Sequence, residues 1–339
     1  MPSVDLLPNV GLLPPPIDQM WTDLLPLQGV RQRAESAGSP GRFFWYDPPW
    51  YYVSPQTAAS IVMAVDALRV PVAALGCELG ENDLGDLMLG HSLVPYRPDR
   101  YGLGIKDLMA ANVIDLRFAR TRDWQGRYAY SDEQMSRWLG LDLAGDEDAN
   151  PSVPESQSVS APGWLPEFKD TSLLCRKIEQ FHCLQPNARC AVSLGPYRLA
   201  NELPAVLAAK PDIVILRLDD SDELREERLT SLLLKATEQL SRQSDNTDLW
   251  VVPPDAPTPD DCVKMFALGV QAVAIDWWCQ PLITQAMQTE GSMDRSSLAN
   301  PYLAQAEELL RTPFERVAGL IQSCGADHAG ALSPKHLRW

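Results

Sequence analysis

The stretch WVVPPDAPTPDDCVKMFALGVQAVAIDWW, Trp250 to Trp278, decides the fold. Val251 and Val252 close a short apolar run, Pro257 to Leu268 carry a helical pattern, Gly269 stops it, and Val270 to Ile275 form a second apolar run. Short apolar runs bounded by turn residues read as buried strands, and the order strand, turn, helix, strand is that of a parallel pair with a helical crossover. In a parallel α/β protein the first turn of such a unit is where a phosphate usually sits, held by glycines and free backbone N–H groups. Here the turn is Pro253, Pro254, Asp255, Ala256 and Pro257. Proline has no N–H to offer and a carboxylate repels a phosphate, so this turn is the opposite of an anion cradle.

The same alternation runs upstream. Ser54 caps a helix that has Pro55 at its first position and reaches about Leu68. Val70–Gly76 is a buried strand, Gly104–Ala111 a short helix, and Asn112–Phe118 the next strand. Ser131 caps a helix to Gly140, and Thr171–Leu184 is an amphipathic helix. Strands follow at Arg189–Gly195, Pro211–Leu218 and Asp248–Pro253, separated by helices over Leu199–Ala209 and Asp222–Gln243; the tail from Tyr302 to Gly325 is helical. The aromatic segment RFFWYDPPWYYVS, Arg42 to Ser54, is a further strand candidate with a loop tucked against the core. Lining a planar-ligand site is its second reading, and core packing is the commoner use of such residues.

Strands that are continuous apolar runs, alternating with helices, mean a parallel sheet covered on both faces. A (β/α)8 barrel fits their number and the chain length of 339 residues; a doubly wound open sheet is the alternative. No GxGxxG follows any of the strands, which argues against a dinucleotide-binding unit. Residues 1–41 are rich in proline and leucine and read as an arm that packs on something or stays mobile. The barrel domain is expected over 42–339, with residues 143–163, acidic and rich in Ser and Pro, as a mobile loop inside it.

The net charge of −16 argues against a nucleic-acid or anionic-membrane partner, and the absence of a long apolar run argues against a membrane span. The N-terminus lacks a basic n-region, so a cytoplasmic location is expected. The cysteine count of 7 is odd in a large chain, which favours free thiols over a disulfide framework. His91, His182, His328 and His336 are scattered without an HxH or HExxH neighbour, and no metal site is expected of them. His182 reads as structural.

With the elements in order, the chain resembles the FMN-binding barrel domain of glutamate synthase and its stand-alone relatives. Four stretches carry the likeness: Ser54–Glu81, similar to the family's first helix, second strand and NTGEGG turn; Leu93–Phe118, similar to the segment ending in IKLGQGAK; Pro186–Gly195 with Leu207–Asp220, in the place of the SVKL and ISGHDGG motifs; and Trp250–Trp278 itself, where FALGVQAVAID stands in the place of ALALGADAVAIGTA. The resemblance covers about residues 45 to 337 and implies a TIM barrel, FMN, an iron–sulfur cluster, and glutamate formation from 2-oxoglutarate and an ammonia donor. Residue by residue the motifs are replaced. The first turn reads Gly76, Cys77, Glu78, Leu79, Gly80; Arg117 stands for the first lysine, with Arg120 and Arg122 near the second; Ser193 stands for the lysine of SVKL; Asp219 and Asp220 replace glycines; and Asp276, Trp277 and Trp278 replace Gly-Thr-Ala. The two indoles are expected to fill the space where a phosphate or flavin edge would lie. Cys279 has no cysteine near it until Cys324, which argues against an iron–sulfur cluster.

The resemblance therefore implies a degenerate barrel without the parent activity, acting as a binding or regulatory module, with the Pro-rich arm 1–41 or the acidic loop 143–163 as contact segments for a protein partner. The alternative is an FMN-dependent oxidoreductase of the glutamate synthase type with an altered site. Glu78 and Arg117 are then the catalytic candidates, and Arg117, Ser193, Asp255 and Asp276 the candidates for holding a cofactor. Glu78, Asp115, Asp219, Asp220, Asp255 and Asp276 fall at or near strand ends, where barrel active sites gather. Such acids could ring a hard cation, but solvated loop carboxylates are commoner, so no metal is expected. Arg117, Arg120 and Arg122 could bind an anionic substrate, and a salt-bridge role serves them equally well.

Overall fold

In the computed structural model the apolar runs become parallel strands that close on themselves. The structure describes residues 6–14, 42–73, 92–96, 104–117, 121–122, 128–130, 159–160, 172–196, 199–219, 226–243, 246–289 and 300–339. After a short terminal strand β1 (Gly11–Leu12), the barrel strands are β2 (Phe43–Phe44), β3 (Val72–Ala73), β4 (Ser92–Tyr96) and β5 (Val113–Arg117). A ribbon of β6 (Thr121–Arg122), β7 (Tyr128–Tyr130) and β8 (Val159–Ser160) follows. The barrel resumes with β9 (Arg189–Leu194), β10 (Ile213–Arg217), β11 (Asp248–Val252) and β12 (Ala272–Ala274), and β13 (Leu337–Arg338) ends the chain. The 8 barrel strands pair in the order β2-β12-β11-β10-β9-β5-β4-β3, every pair parallel. A parallel bridge between Trp45 and Val72 joins the two ends of that order, with Trp45 N–H donating to Pro71 O at 2.7 Å and Ala73 N–H to Trp45 O at 2.9 Å. The sheet is thus a closed (β/α)8 barrel, with no free edge between β2 and β3.

The helices are α1 (Pro55–Ala67), α2 (Ile105–Ala110), α3 (Ser172–Leu184), α4 (Leu199–Ala208), α5 (Glu226–Gln243), α6 (Pro259–Ala267), α7 (Asp276–Thr289) and α8 (Pro301–Ser323). Their starts are written in the sequence. Ser54 Oγ accepts the Thr57 N–H at 3.3 Å ahead of α1, and Asn300 Oδ1 accepts the Tyr302 N–H at 3.0 Å ahead of α8, each with proline at the first helical position. Thr258 and Asp261 form a capping box at the start of α6. Gly269 ends that helix at φ 98°, a left-handed conformation that glycine adopts without a Cβ penalty.

Alternate strand residues face opposite sides of the sheet. Phe44, Leu93, Val113, Ala191, Ile213, Ile215, Trp250 and Ala274 fill the barrel, while Val192, Val214, Leu216 and Val273 pack under the helices. Burial on both faces is why these strands read as unbroken apolar runs. β4 escapes that reading because Pro95 interrupts it, and proline in a run argues against a central strand. Among the described residues β3 pairs with Ser92 and Leu93, and Pro95 stands opposite Asp115 of β5.

Other expectations are refined. Leu6, Leu7 and Val10, within the expected arm, are core residues. The carboxylate of Asp261 accepts the Leu6 and Leu7 N–H groups at 3.0 and 3.2 Å, Lys264 Nζ donates to Leu7 O at 3.0 Å, and β1 pairs antiparallel with β13. Residues 6–14 are therefore built onto α6 and the C-terminal strand, which resolves the open choice between packing and mobility for this piece of the arm. Val159–Ser160, inside the segment read as a mobile loop, are hydrogen-bonded to β7, because the short β propensity of that end outlasts the acidic tract. The expected helix over 131–140 and the rest of the loop, residues 143–158 and 161–163, lie outside the described residues. Among the described residues the cysteines are free, and no helix is long and apolar enough to cross a membrane.

Candidate functional site

The inward phase of the strands turns polar at their C-terminal ends. On β5 it runs Val113, Asp115, Arg117; on β9 Ala191, Ser193; on β10 Ile213, Ile215, Arg217; and Tyr46 follows Phe44 just past β2. Register places Arg117 opposite Ser193. These groups meet in one buried network. The Tyr46 hydroxyl donates to Ser193 Oγ at 2.9 Å, Ser193 Oγ donates to Asp115 Oδ1 at 2.5 Å, and Arg117 Nε donates to Asp115 Oδ2 at 2.8 Å. Arg117 Nη2 also donates to Tyr46 O at 3.2 Å, and its Nη1 lies 3.8 Å from Asp47 Oδ1. The Arg117 guanidinium sits 3.8 Å from the centre of the Tyr46 ring and that of Arg217 5.8 Å from it. Arg217 Nε is 3.9 Å from Asp219 Oδ1.

Burial shapes how Tyr46 and Arg117 titrate. Asp115 is 0% exposed and Tyr46 1%. Burial pushes the Tyr46 phenol up to about 12, with Arg117 pulling the other way. For Arg117 burial works against the charge, but Tyr46, Asp115 and Asp47 outweigh it and hold its pKa above the ordinary value. The Asp115 carboxylate is shared, with Arg117 donating to one oxygen and Ser193 satisfying the other.

Asp276 closes the same end from the rim. As the first residue of α7 it follows β12 after Ile275 alone, and its Oδ2 and Oδ1 accept the N–H groups of Tyr46 at 3.1 Å and Asp47 at 2.7 Å. In many (β/α)8 barrels the loops after the seventh and eighth strands hold a phosphate. Here the two loops are the Pro253–Pro257 turn and the start of α7, and they are tied to each other by Trp278 Nε1 donating to Pro257 O at 2.8 Å.

Of the cofactor candidates, Arg117 and Ser193 are brought together and Asp276 lies one residue away through the Tyr46–Asp47 backbone. Asp255 is not part of the group: it is exposed, and its Oδ1 accepts the N–H of neighbouring Ala256 at 2.7 Å. Glu78, Arg120 and Asp220 lie outside the described residues, and Arg122 is described only by its place in β6. Among the described residues Asp115, Asp219, Asp255 and Asp276 do not converge into a metal-binding group, since Asp115 and Asp276 are engaged by the arginine, serine and amides above. The expected filling of the cradle by two indoles is not what the structure has. α7 begins at Asp276, so its helical turn carries the next residues away from the barrel axis. Trp277 is 46% exposed, and Trp278 packs outside the barrel against Phe43 and Phe314 with ring centres 5.5 and 6.3 Å apart. Tyr46, Asp47 and Arg217 are site residues that the sequence reading passed over. The signal for Arg217 was available: a charge in the same alternate phase as the inward residues of an apolar run.

No family model matches the sequence, and no curated protein matches it. In structure the chain is similar to the flavin-binding domain of baker's yeast flavocytochrome b2, with a TM-score of 0.51 and 12% identity over 88% of this chain and 69% of that one. A lactate oxidase of Pediococcus acidilactici gives a TM-score of 0.48 at 11% identity, over 91% of this chain and 92% of that one. A mutant tryptophan synthase α-subunit of Pyrococcus furiosus gives 0.43 at 11% identity, over 82% and 96%. The first of these likenesses supports the barrel fold; at such identity it speaks for the fold alone.

Proposed function

We propose that this chain is a degenerate relative of the flavin-binding barrels of the glutamate synthase type, one that has lost the parent reaction and serves as a binding or regulatory module. The observation that carries this reading is the carboxylate of Asp276. It takes up the amides of Tyr46 and Asp47 at the end of the eighth barrel strand, in the region where barrels commonly hold a phosphate. The described residues there do not fit FMN. The turn before α6 has three prolines and a carboxylate, and a second carboxylate heads α7. An anionic phosphate in that place would meet two negative side chains and few free N–H groups. Beneath it, Arg117 and Ser193, which stand in the place of the family's lysines, are committed to Asp115 and Tyr46 inside the barrel.

Purified protein tests the reading directly. Its spectrum should lack flavin absorbance, titration with FMN should give no saturable quenching of flavin fluorescence, and 2-oxoglutarate amination should be blank. A yellow protein with flavin near one per chain overturns it.

A second reading is an FMN-dependent oxidoreductase with an altered constellation, in which Arg117 supplies positive charge to an anionic substrate or reduced flavin. It is favoured by the likeness of fold to the yeast flavin-binding domain and by the position of Arg117 at the mouth. The same spectrum decides between the two.

A further inference from the structure

At the opposite end of the barrel, three side chains of different chemistry converge. His182 stands in the last turn of α3, Cys190 is the second residue of β9, and Asp212 immediately precedes β10. One ligand atom from each, an imidazole nitrogen, the thiol sulfur and a carboxylate oxygen, lies within 4.8 Å of the other two. We propose that His182, Cys190 and Asp212 form a binding site for a zinc-class divalent cation that ties α3 to the N-terminal ends of β9 and β10.

Zinc is bound by Cys sulfur at about 2.3 Å and by His nitrogen or carboxylate oxygen at about 2.0–2.2 Å. Tetrahedral angles then set ligand atoms about 3.3–3.6 Å apart. His182 Nε2 and Asp212 Oδ2 are 2.9 Å apart, so the ion requires a small opening of that contact. The sulfur has little else to do. Its one hydrogen bond, to Ile178 O, is long at 3.9 Å. The carboxylate is not neutralised by the nearest guanidinium: Arg189 gives its Nη2 to the Asp212 backbone oxygen at 3.0 Å and to Asp248 Oδ2 at 2.7 Å. The Cys190 N–H donates to Asp212 Oδ2 at 2.7 Å and orients that carboxylate toward the sulfur's own residue, as the outer hydrogen bonds of metal ligands do.

Access and selectivity follow from the same geometry. The side chains of His182 and Asp212 are 39% and 37% exposed, while Cys190 is fully buried, so an ion enters from solvent and is held against the sulfur. A thiolate with an imidazole selects zinc over magnesium or calcium, which prefer oxygen. Three protein ligands leave the fourth position to water. The N-terminal end of barrel strands is the face associated with stability, so the ion acts as a staple between three elements.

The test uses the full chain, stripped with chelator and titrated with cobalt(II). A tetrahedral cobalt spectrum with a thiolate-to-metal charge-transfer band should saturate at one ion per chain, and zinc should displace it. The band should vanish in Cys190→Ser and persist in Cys183→Ser, which removes the exposed thiol beside His182. Zinc at about a hundredfold excess over its Kd should raise Tm by roughly 4 °C in the wild type and leave His182→Gln unmoved. His182 is half exposed, so that variant keeps the test decisive where Cys190→Ser fails to fold. No cobalt band in the wild type, a band that survives Cys190→Ser, or a zinc shift retained in His182→Gln overturns the proposal.

Discussion

At the C-terminal end of the strands the polar side chains are sealed in; at the N-terminal end they stand half in water. Asp115, Arg117, Ser193 and Tyr46 are each under a tenth exposed and are satisfied by one another. His182, Asp212, Arg189 and Asp248 lie between 35% and 42% exposed, although they too form pairs of 2.9 and 2.7 Å. Similar distances therefore mean different energies. A buried ion pair has lost its hydration and depends on its partner, so removing one member strands the other. An exposed pair exchanges one well-solvated state for another and contributes little. The network of Asp115, Arg117, Ser193 and Tyr46 thus has its charges already paired inside the barrel, and the pairs at the floor stand open to solvent.

The largest effect expected is at Asp115. Asp115→Ala leaves the Arg117 guanidinium buried beside an apolar methyl and removes the acceptor of Ser193, and it should cost about 3–5 kcal/mol in chemical denaturation. The double variant Asp115→Leu/Arg117→Met should recover most of that loss, because no charge then remains to be desolvated. A loss under about 1 kcal/mol for Asp115→Ala would mean that the mouth is wet, and the contrast with the floor would disappear.

Tyr46 sharpens the contrast through pH. Its folded pKa of about 12 lies above the ordinary phenol value of about 10, so the folded state disfavours the phenolate. The stabilisation is complete below about pH 10 and is lost as pH rises toward 12, by about 3 kcal/mol in all. Buried thiols such as Cys190, also raised to about 12 by burial and by Asp212, add to the alkaline decline. The comparison with Tyr46→Phe isolates the phenol. That variant should be less stable at pH 8 by roughly 1 kcal/mol, the hydrogen bond to Ser193, and should fall less steeply above pH 10. Parallel curves would show that the hydroxyl is not enclosed.

Next in size is Asp276→Ala. It removes the acceptor of two amides at once, at a partly buried site, and about 2 kcal/mol of destabilisation is expected by thermal or urea unfolding. If the variant also acquires saturable FMN binding, the carboxylate is what keeps the flavin out.

Much of the barrel could be read from residues, and the reasons it could be are physical. Val113–Arg117, Arg189–Leu194, Ile213–Arg217 and Asp248–Val252 are buried on both faces, so their sequences are near-continuous apolar runs. β4 was hidden by Pro95, since proline in an apolar run argues against a central strand. Of the mouth, Arg117, Ser193 and Asp115 were visible as polar residues at strand ends. Tyr46 was hidden in a segment whose aromatic density reads as core, which it also is: its ring packs on Phe44 while its hydroxyl joins the network. The floor cluster has no local signature at all. Its three residues come from a helix end, a strand and a turn, and only closure of the barrel brings them together.

The smallest effect belongs to that cluster without metal. With chelator present, His182→Gln replaces a half-exposed imidazole that touches Asp212 by a side chain of similar reach that can still donate to it. The change in stability should be about 0–1 kcal/mol, the range of solvent-exposed pairs. Asp212 keeps the Cys190 amide in either case, so the turn before β10 stays in place. A penalty near that of Asp115→Ala, measured under the same denaturant, would mean that the floor is as tightly coupled as the mouth even when empty. The distinction drawn from exposure would then fail, because a pair that strongly stabilises the apo chain leaves an incoming cation no weak contact to open.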